Sequence, residues 1–315
     1  MSQSPRHPQS SGSEEQFTNT STPTTIGILG MGAIGTLMAW HWRDLLTSQR
    51  LYALKPQADV ITRQFSQLDG SVDVIELPIW SPHNDPLCPE LDWLVVTTKA
   101  THTLAALRPW SACLSTVKRI LLLQNGMGQQ QQVEQWLAQQ QLSCEVWLGI
   151  STEGAFRPKP QQVVYAGAGS TWIGPASGNS IPPESLPGQL QLVTDIHQRQ
   201  REKLAINAVI NPLTGQLRCR NGELVTNMEY RQQLIQLAQE VQTLYDRMGW
   251  TLAMPLVERS QQVAEATGHN RSSTLQDILA GRPTELAYIC GYLLAVARAE
   301  KLPMPLTEHL FQALN

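Results

Sequence analysis

Two hydrophobic patterns divide the chain. From residue 25 to about 174 apolar residues come in short runs, first Thr25-Ile26-Gly27-Ile28-Leu29, then Leu51–Leu54, Val72–Leu77, Trp93–Thr97 and Ile120–Leu123. Runs of this length, set apart by polar or helix-like stretches, predict buried strands. After the first run, Ile34, Leu37, Met38 and Leu45 fall at helical spacing, which predicts a helix from Ala33 to about Leu46. The alternation predicts an α/β fold with a doubly wound parallel sheet of Rossmann type. Val163-Val164-Tyr165 and Thr171-Trp172-Ile173 flank Gly167-Ala168-Gly169, which reads as a hairpin or meander.

A stretch rich in Pro, Gly and Ser, Pro175 to Gly188, reads as a loop and sets a boundary near residue 195. Beyond it the pattern is helical. The predicted helices are Gln198–Ile210, Met228–Met248, Leu256–Ala266, Ser273–Leu279, Glu285–Glu300 and Leu306–Leu314, punctuated by Pro283, Pro303 and Pro305. Leu234, Leu237, Val241, Leu244 and Met248 form one stripe of the second helix, and Gly249 stands in its C-cap place. Pro212 predicts that the first helix ends or kinks there. The expected organisation is a disordered tail over 1–24, rich in Ser, Gln, Pro and Thr, a dinucleotide-binding domain over 25–194, and an all-α substrate and catalytic domain over 195–315.

Composition narrows the classes of function. Lys and Arg number 23 against 26 Asp and Glu, so no basic field favours nucleic acid or an anionic membrane. No apolar stretch reaches the roughly 18 to 20 residues of a membrane span, and the tail lacks the pattern of a signal peptide, so a cytoplasmic location is expected. The five cysteines are scattered, which predicts reduced thiols, and no two of the seven histidines stand at i, i+4. No metal is expected. Whether the chain is a monomer or a homodimer stays open.

The candidate chemistry begins with Gly30-Met31-Gly32-Ala33-Ile34-Gly35, a G-x-G-x-x-G that ends a predicted strand and opens a helix. Gly30 permits the tight turn, Gly32 lets backbone approach a pyrophosphate, and Gly35 allows close helix–strand packing, while the helix N-terminus offers N–H donors. About 20 residues further on, where NAD-type sites carry an acid, the second strand ends in Lys55, a cation suited to the extra phosphate of NADPH, with Arg63 as a candidate helper. Lys99, after Thr97-Thr98, and Asn125, within Gln124-Asn125-Gly126-Met127-Gly128, end neighbouring strands where ligands of open α/β sheets bind. Lys203, Asn207 and Asn211 recur at i, i+4, i+8 and set an ammonium and two amides along one face of an otherwise apolar helix. A lysine there can protonate the oxygen of a ketone under reduction while amides orient the substrate. Ser273 reads equally as a helix N-cap with Gln276 as its capping-box partner, and Glu285 as a first-turn acid complementing a helix dipole.

Taken together these residues resemble the ketopantoate reductase family. The resemblance runs from about Thr25 to the C-terminus: Gly-Met-Gly-Ala-Ile-Gly at 30–35, Thr-Lys-Ala at 98–100, Gln-Asn-Gly-Met-Gly at 124–128, Lys-Leu-Ala-Ile-Asn-Ala-Val-Ile-Asn-Pro-Leu-Thr at 203–214, Asn-Gly-Glu-Leu at 221–224, Ser-Ser-Thr-Leu-Gln-Asp-Ile at 272–278 and Thr-Glu at 284–285. It implies NADPH-dependent reduction of 2-dehydropantoate (ketopantoate) to (R)-pantoate. It also implies Lys203 as proton donor, Asn125, Asn207, Asn211, Asn221 and Ser273 toward the keto acid, Lys99, Asn125 and the backbone of Ala155 along the cofactor, and Glu285 touching cofactor or assisting the site. The alternatives are a related two-domain reductase of another small 2-keto acid or an imine, and a non-catalytic NADPH-binding regulator.

Overall fold

Side chains alternate across each strand of the first half, and both faces of the resulting sheet are covered. Ile26, Ile28, Trp93, Val95 and Leu121 belong to one core, and Leu29, Leu94, Val96, Ile120 and Leu122 to the other. In the computed structural model, described for residues 24–315 except 47, 49, 56–59, 82–87, 179–182 and 184–187, the expected tail lies outside the described residues but for Thr24. Most of the expected Pro175–Gly188 loop lies outside them as well.

The sheet is built from β1 (Ile26–Leu29), β2 (Leu51–Leu54), β3 (Val60–Ser66), β4 (Val72–Trp80), β5 (Leu91–Val96), β6 (Val117–Leu122), β7 (Glu145–Ser151), β8 (Gly154–Lys159), β9 (Gln162–Gly167), β10 (Thr171–Pro175) and β11 (Leu190–Leu192). Their order is β11-β10-β7-β6-β5-β1-β2-β4-β3-β9-β8. The strands from β7 to β4 in that order run parallel, with β1 paired to β2 on one side and β5 on the other. Chain order therefore reverses beside β1, which opens a crevice at the carboxyl ends of β1 and β5. Helix α1 (Ala33–His41) follows β1, α2 (Thr103–Leu107) lies between β5 and β6, and α3 (Gln129–Gln139) follows β6. The predicted first helix is shorter than expected, giving way to a 3₁₀ turn at Arg43–Leu46.

The expected hairpin across Gly167–Gly169 is not formed. Strand β9 pairs with β8 and β3, whereas β10 pairs with β7 and β11 on the far side of the sheet. The glycines serve a close crossing: a Cβ on Gly169 would lie 2.6 Å from the Glu153 nitrogen. The expectation of reduced thiols fails at one pair, because Cys88 and Cys113 form a disulfide with a Cα–Cα distance of 5.2 Å. Sequence spacing did not suggest it; the fold brings the two together across 25 residues.

From Ile196 on every element is helical: α4 (Ile196–Leu217), α5 (Glu223–Thr226), α6 (Met228–Met248), α7 (Leu256–Ala266), α8 (Ser273–Leu279), α9 (Leu286–Ala299) and α10 (Pro305–Leu314). Helix α6 has the predicted bounds and ends on Gly249 at φ +64°. The predicted end of α4 at Pro212 is corrected, since α4 continues helically to Leu217. Proline inside a helix costs about 3 kcal/mol, but α4 is the central helix, and its Leu204, Ala205, Ala208, Val209 and Leu213 are buried in the helical core. Thr214 also turns its hydroxyl back to the Ile210 carbonyl at 2.8 Å. Burial of that core outweighs the missing backbone bond.

Leu244, fully buried on the α6 stripe, provides a test of this core. Leu244→Ala is expected to lower unfolding stability by about 2–5 kcal/mol in urea denaturation; a loss below about 1 kcal/mol would contradict the packing described.

Candidate active site

The glycine loop closes tightly on its neighbours yet leaves space where a phosphate would approach. Gly30 has φ +110°, and a Cβ there would lie 2.6 Å from the Thr98 nitrogen. A Cβ on Gly35 would collide with the Gly30 carbonyl, which also accepts the Thr97 hydroxyl. Above Gly32 a Cβ would meet nothing within 4 Å, and no side chain caps the first N–H groups of α1. The Thr98 hydroxyl beside the loop is buried without a partner. Open space over uncapped helix amides fits a pyrophosphate. Met31, Ala33 and Ile34 are partly buried beneath the loop in the core around α1.

Lys55 follows β2 directly, and the β1–β2 register (Leu29 opposite Leu54) sets it one strand over from Gly30 with its side chain exposed. It stands at the carboxyl edge of the sheet, beside the glycine loop. Arg63 does not. It lies opposite Ile75 on antiparallel β3, about 15 Å of strand behind Trp80 at that edge, and it donates to the Thr62 carbonyl at 2.9 Å. Ala155 is the second residue of β8, opposite Tyr165.

A seam of polar contacts joins the carboxyl edge of the sheet to the helical half. The Glu285 carboxylate accepts from the Ala100 N–H and from the Asn125 amide, both at 3.0 Å. Glu285 occupies the N-cap position of α9 without making a side-chain cap bond, so it reaches across the seam instead of serving its own helix. Burial pushes its pKa up, opposed by the Ala100 and Asn125 hydrogen bonds and the Lys99 charge. Lys99 donates to the Pro283 carbonyl at 2.7 Å and pairs with Asp277 at 2.7 Å, and Arg282 holds the other Asp277 oxygen at 3.0 Å. Nothing in the sequence singled out Asp277, whose role depends on residues 178 positions away. The Met127 N–H donates to the Tyr288 carbonyl at 2.8 Å.

Lys203, on the third turn of α4, points its ammonium into this seam, where it donates to the Ser151 carbonyl at 2.7 Å. Burial lowers its pKa to about 8, with the negative charge of Glu285 opposing the shift. A narrow pocket beside it is lined by Gln124, Asn125, Gly126, Ile150, Gln200 and Leu204. Asn207 and Asn211 follow at roughly 6 and 12 Å along the axis, and their side-chain amides make no hydrogen bond among the described residues. Lys203, at the head of the predicted stripe, is therefore brought to one place with Asn125 and Glu285. Gln200, buried three residues before Lys203, lies on the same helical face and was not predicted, because the fourfold spacing of the stripe steps past it. Ser151 was illegible because it acts through its backbone.

Asn221 follows the C-terminal end of α4, and Ser273 lies beside its last turns. Asn221 is buried, donates to Thr267 at 2.9 Å and leaves its carbonyl oxygen without a partner. Ser273 is exposed at the start of α8, and its expected capping role is corrected. The N-cap is Ser272, whose hydroxyl accepts from the Leu275 N–H at 3.1 Å and donates to the Thr214 hydroxyl at 2.7 Å, while Gln276 donates to the Arg271 carbonyl instead of completing a box. Ser272 is buried and can meet Thr214 on α4; Ser273, one residue on, faces outward.

The model of the family "Ketopantoate reductase PanE/ApbA" matches residues 26–178, and that of its C-terminal domain matches residues 195–315. The chain belongs to the ketopantoate reductase family. Among its relatives, the 2-dehydropantoate 2-reductase of Shigella flexneri is 33% identical over 305 residues, and that of Yersinia pestis 34% over 307, each alignment covering 92% of this chain and 94% of the relative. Among solved structures, the probable 2-dehydropantoate 2-reductase panE of Bacillus subtilis superposes with a TM-score of 0.71 at 26% identity, covering 92% of this chain and 98% of that one. A D-mandelate dehydrogenase bound to NADH and anilino(oxo)acetate, 18% identical with a TM-score of 0.75 over 92% of this chain and 97% of its own, shares the fold.

The seam depends on Gly126, which has φ +82° and would drive a Cβ into the Tyr288 backbone. Gly126→Ala is expected to cost about 1–3 kcal/mol, read as a lowered Tm by circular dichroism; an unchanged Tm would contradict the close approach.

Proposed function

We propose that the protein reduces 2-dehydropantoate to (R)-pantoate with NADPH, in the cytoplasm, as a step of pantothenate biosynthesis. The observation that carries this reading is the Lys203 ammonium, buried in the seam beside Asn125 and in line with Asn207 and Asn211. Membership of the family makes the small 2-keto acid its partner, and nothing in the charge balance favours nucleic acid. We divide the chain at 194/195, with residues 25–194 holding the dinucleotide and 195–315 supplying the substrate groups.

NADPH, when bound, supplies the hydride for the C2 ketone. The glycine loop from Gly30 to Gly35 binds the pyrophosphate, and Lys55 meets the extra phosphate that distinguishes NADPH from NADH. Lys99, Asn125 and the Ala155 backbone line the nicotinamide half. Asn125, Asn207, Asn211, Asn221 and Ser273 present amide and hydroxyl groups to the carboxylate and hydroxyl of the keto acid. Lys203 gives its proton to the C2 oxygen as negative charge develops there. Glu285 holds Asn125 by accepting its amide, and its charge keeps the ammonium from losing its proton sooner.

Loss of NADPH absorbance on addition of ketopantoate, run beside NADH and other 2-keto acids, tests the reading: rapid oxidation with NADPH and ketopantoate is expected. Brisk turnover of a different keto acid with none of ketopantoate would overturn the substrate. Lys203→Ala is expected to lower kcat by about a hundredfold or more, and near-normal turnover would contradict the proton-donor role.

The pH dependence follows from the lowered pKa. Lys203 must be protonated to act, so kcat is expected to stay level below about 8 and to fall about tenfold per pH unit above it. A kcat level up to the ordinary lysine pKa would show an ammonium that is not buried as described.

A further inference from the structure

Behind Lys203 lies a second buried polar cluster that the chemistry above does not use. Glu153 sits at the corner between β7 and β8, two residues after Ser151, whose carbonyl holds the Lys203 ammonium at 2.7 Å. One Glu153 oxygen accepts from His41 Nε2 and from the Tyr165 hydroxyl, each at 2.8 Å, and the other from Thr171 Oγ1 at 3.0 Å. The side chains of His41 and Glu153 are only 5% and 6% exposed.

The hydroxyls complete a directed chain. Thr171 spends its proton on Glu153, so Ser151 Oγ, 2.9 Å away, donates to Thr171 and in turn accepts the Glu153 N–H at 3.1 Å. The Thr152 N–H is held by the Ser170 carbonyl at 3.0 Å. The hydroxyls and the N–H groups of Thr152 and Glu153 are thus occupied, His41 Nδ1 is buried without a partner, and the Ser151 carbonyl faces Lys203. Burial raises the Glu153 pKa, but the bonds from His41 and Tyr165 outweigh it and bring the carboxyl below its ordinary value. Tyr165 is pushed up to about 12 by burial and by Glu153.

A buried carboxylate with three donors is costly to assemble and costly to disturb. These donors come from the last residue of α1, from β9 and from β10, so the carboxylate ties three elements to one corner. We infer that Glu153, with His41, Tyr165 and Thr171, is a positioning unit for Lys203, fixing the β7–β8 corner so that the Ser151 carbonyl holds the ammonium in line with the substrate. This rests on Lys203 being the proton donor. No member of the cluster touches substrate; each acts through Ser151.

The test is a double-mutant cycle in kcat, with NADPH affinity followed by fluorescence titration as a check of folding and of α1. Glu153→Gln is expected to lower kcat about tenfold, the scale of a small misplacement of a reacting group, with NADPH affinity unchanged. Its alkaline limb should move to lower pH, because an ammonium less firmly held by an acceptor loses its proton sooner. Thr171→Val, which keeps shape and cuts the hydroxyl chain, should act in the same direction. In a Lys203→Ala background Glu153→Gln should cause no further loss.

Three results would overturn the inference while leaving Lys203 in its role: a wild-type kcat and pH profile in Glu153→Gln, losses that multiply in the double variant, or a loss of NADPH affinity matching the fall in kcat. Near-normal turnover of Lys203→Ala would remove the proton-donor reading and this inference with it.

Discussion

A lysine ammonium taken out of water, held by one backbone carbonyl and faced by one carboxylate, is the constraint around which the rest of the structure is arranged. Charge is buried only where partners repay its lost hydration. For Lys203 those partners come from opposite halves of the chain, the Ser151 carbonyl at the end of β7 and the Glu285 charge at the start of α9. Neither half could build the site alone. Because burial lowers the ammonium to about 8, it becomes an acid matched to neutral pH, and removal from water serves both binding and chemistry.

The seam between the sheet and the helices carries a second role. Glu285 reaches the Ala100 N–H and Asn125, while Lys99 reaches Asp277 and Pro283. The groups at the carboxyl edge of the sheet that we propose line the nicotinamide are therefore the same groups that hold the helical half against the sheet. The glycines are placed accordingly: Gly30 and Gly35 for close packing, Gly32 for open space, Gly126 for the contact with Tyr288.

Much of this was legible in the sequence because its signals are local. The glycine loop, the α6 stripe with Gly249 and the Lys203, Asn207, Asn211 face are read from spacing alone, and the structure sets them at a strand-to-helix turn, on α6 and on α4. What was misread depended on distant partners. The Gly167–Gly169 segment has the form of a hairpin, but β9 and β10 found partners on opposite sides of the sheet. Pro212 has a local cost that the packing of a central helix overrides. Ser272 is not told from Ser273 by local pattern, because the bond that distinguishes them is made to Thr214 on another helix. Ser151 contributes a carbonyl, which every residue has, and the Cys88–Cys113 disulfide follows from the fold and not from spacing.

The central claim is that Lys203 stands ready to protonate the reacting oxygen while still held by Ser151. A crystal structure of the protein with NADP and pantoate tests it most directly. The account predicts Lys203 Nζ within about 2.6–3.2 Å of the C2 oxygen, with its bond to the Ser151 carbonyl kept and Asn207 and Asn211 turned toward the ligand. An ammonium turned away from the C2 oxygen, with another donor in its place, would contradict it.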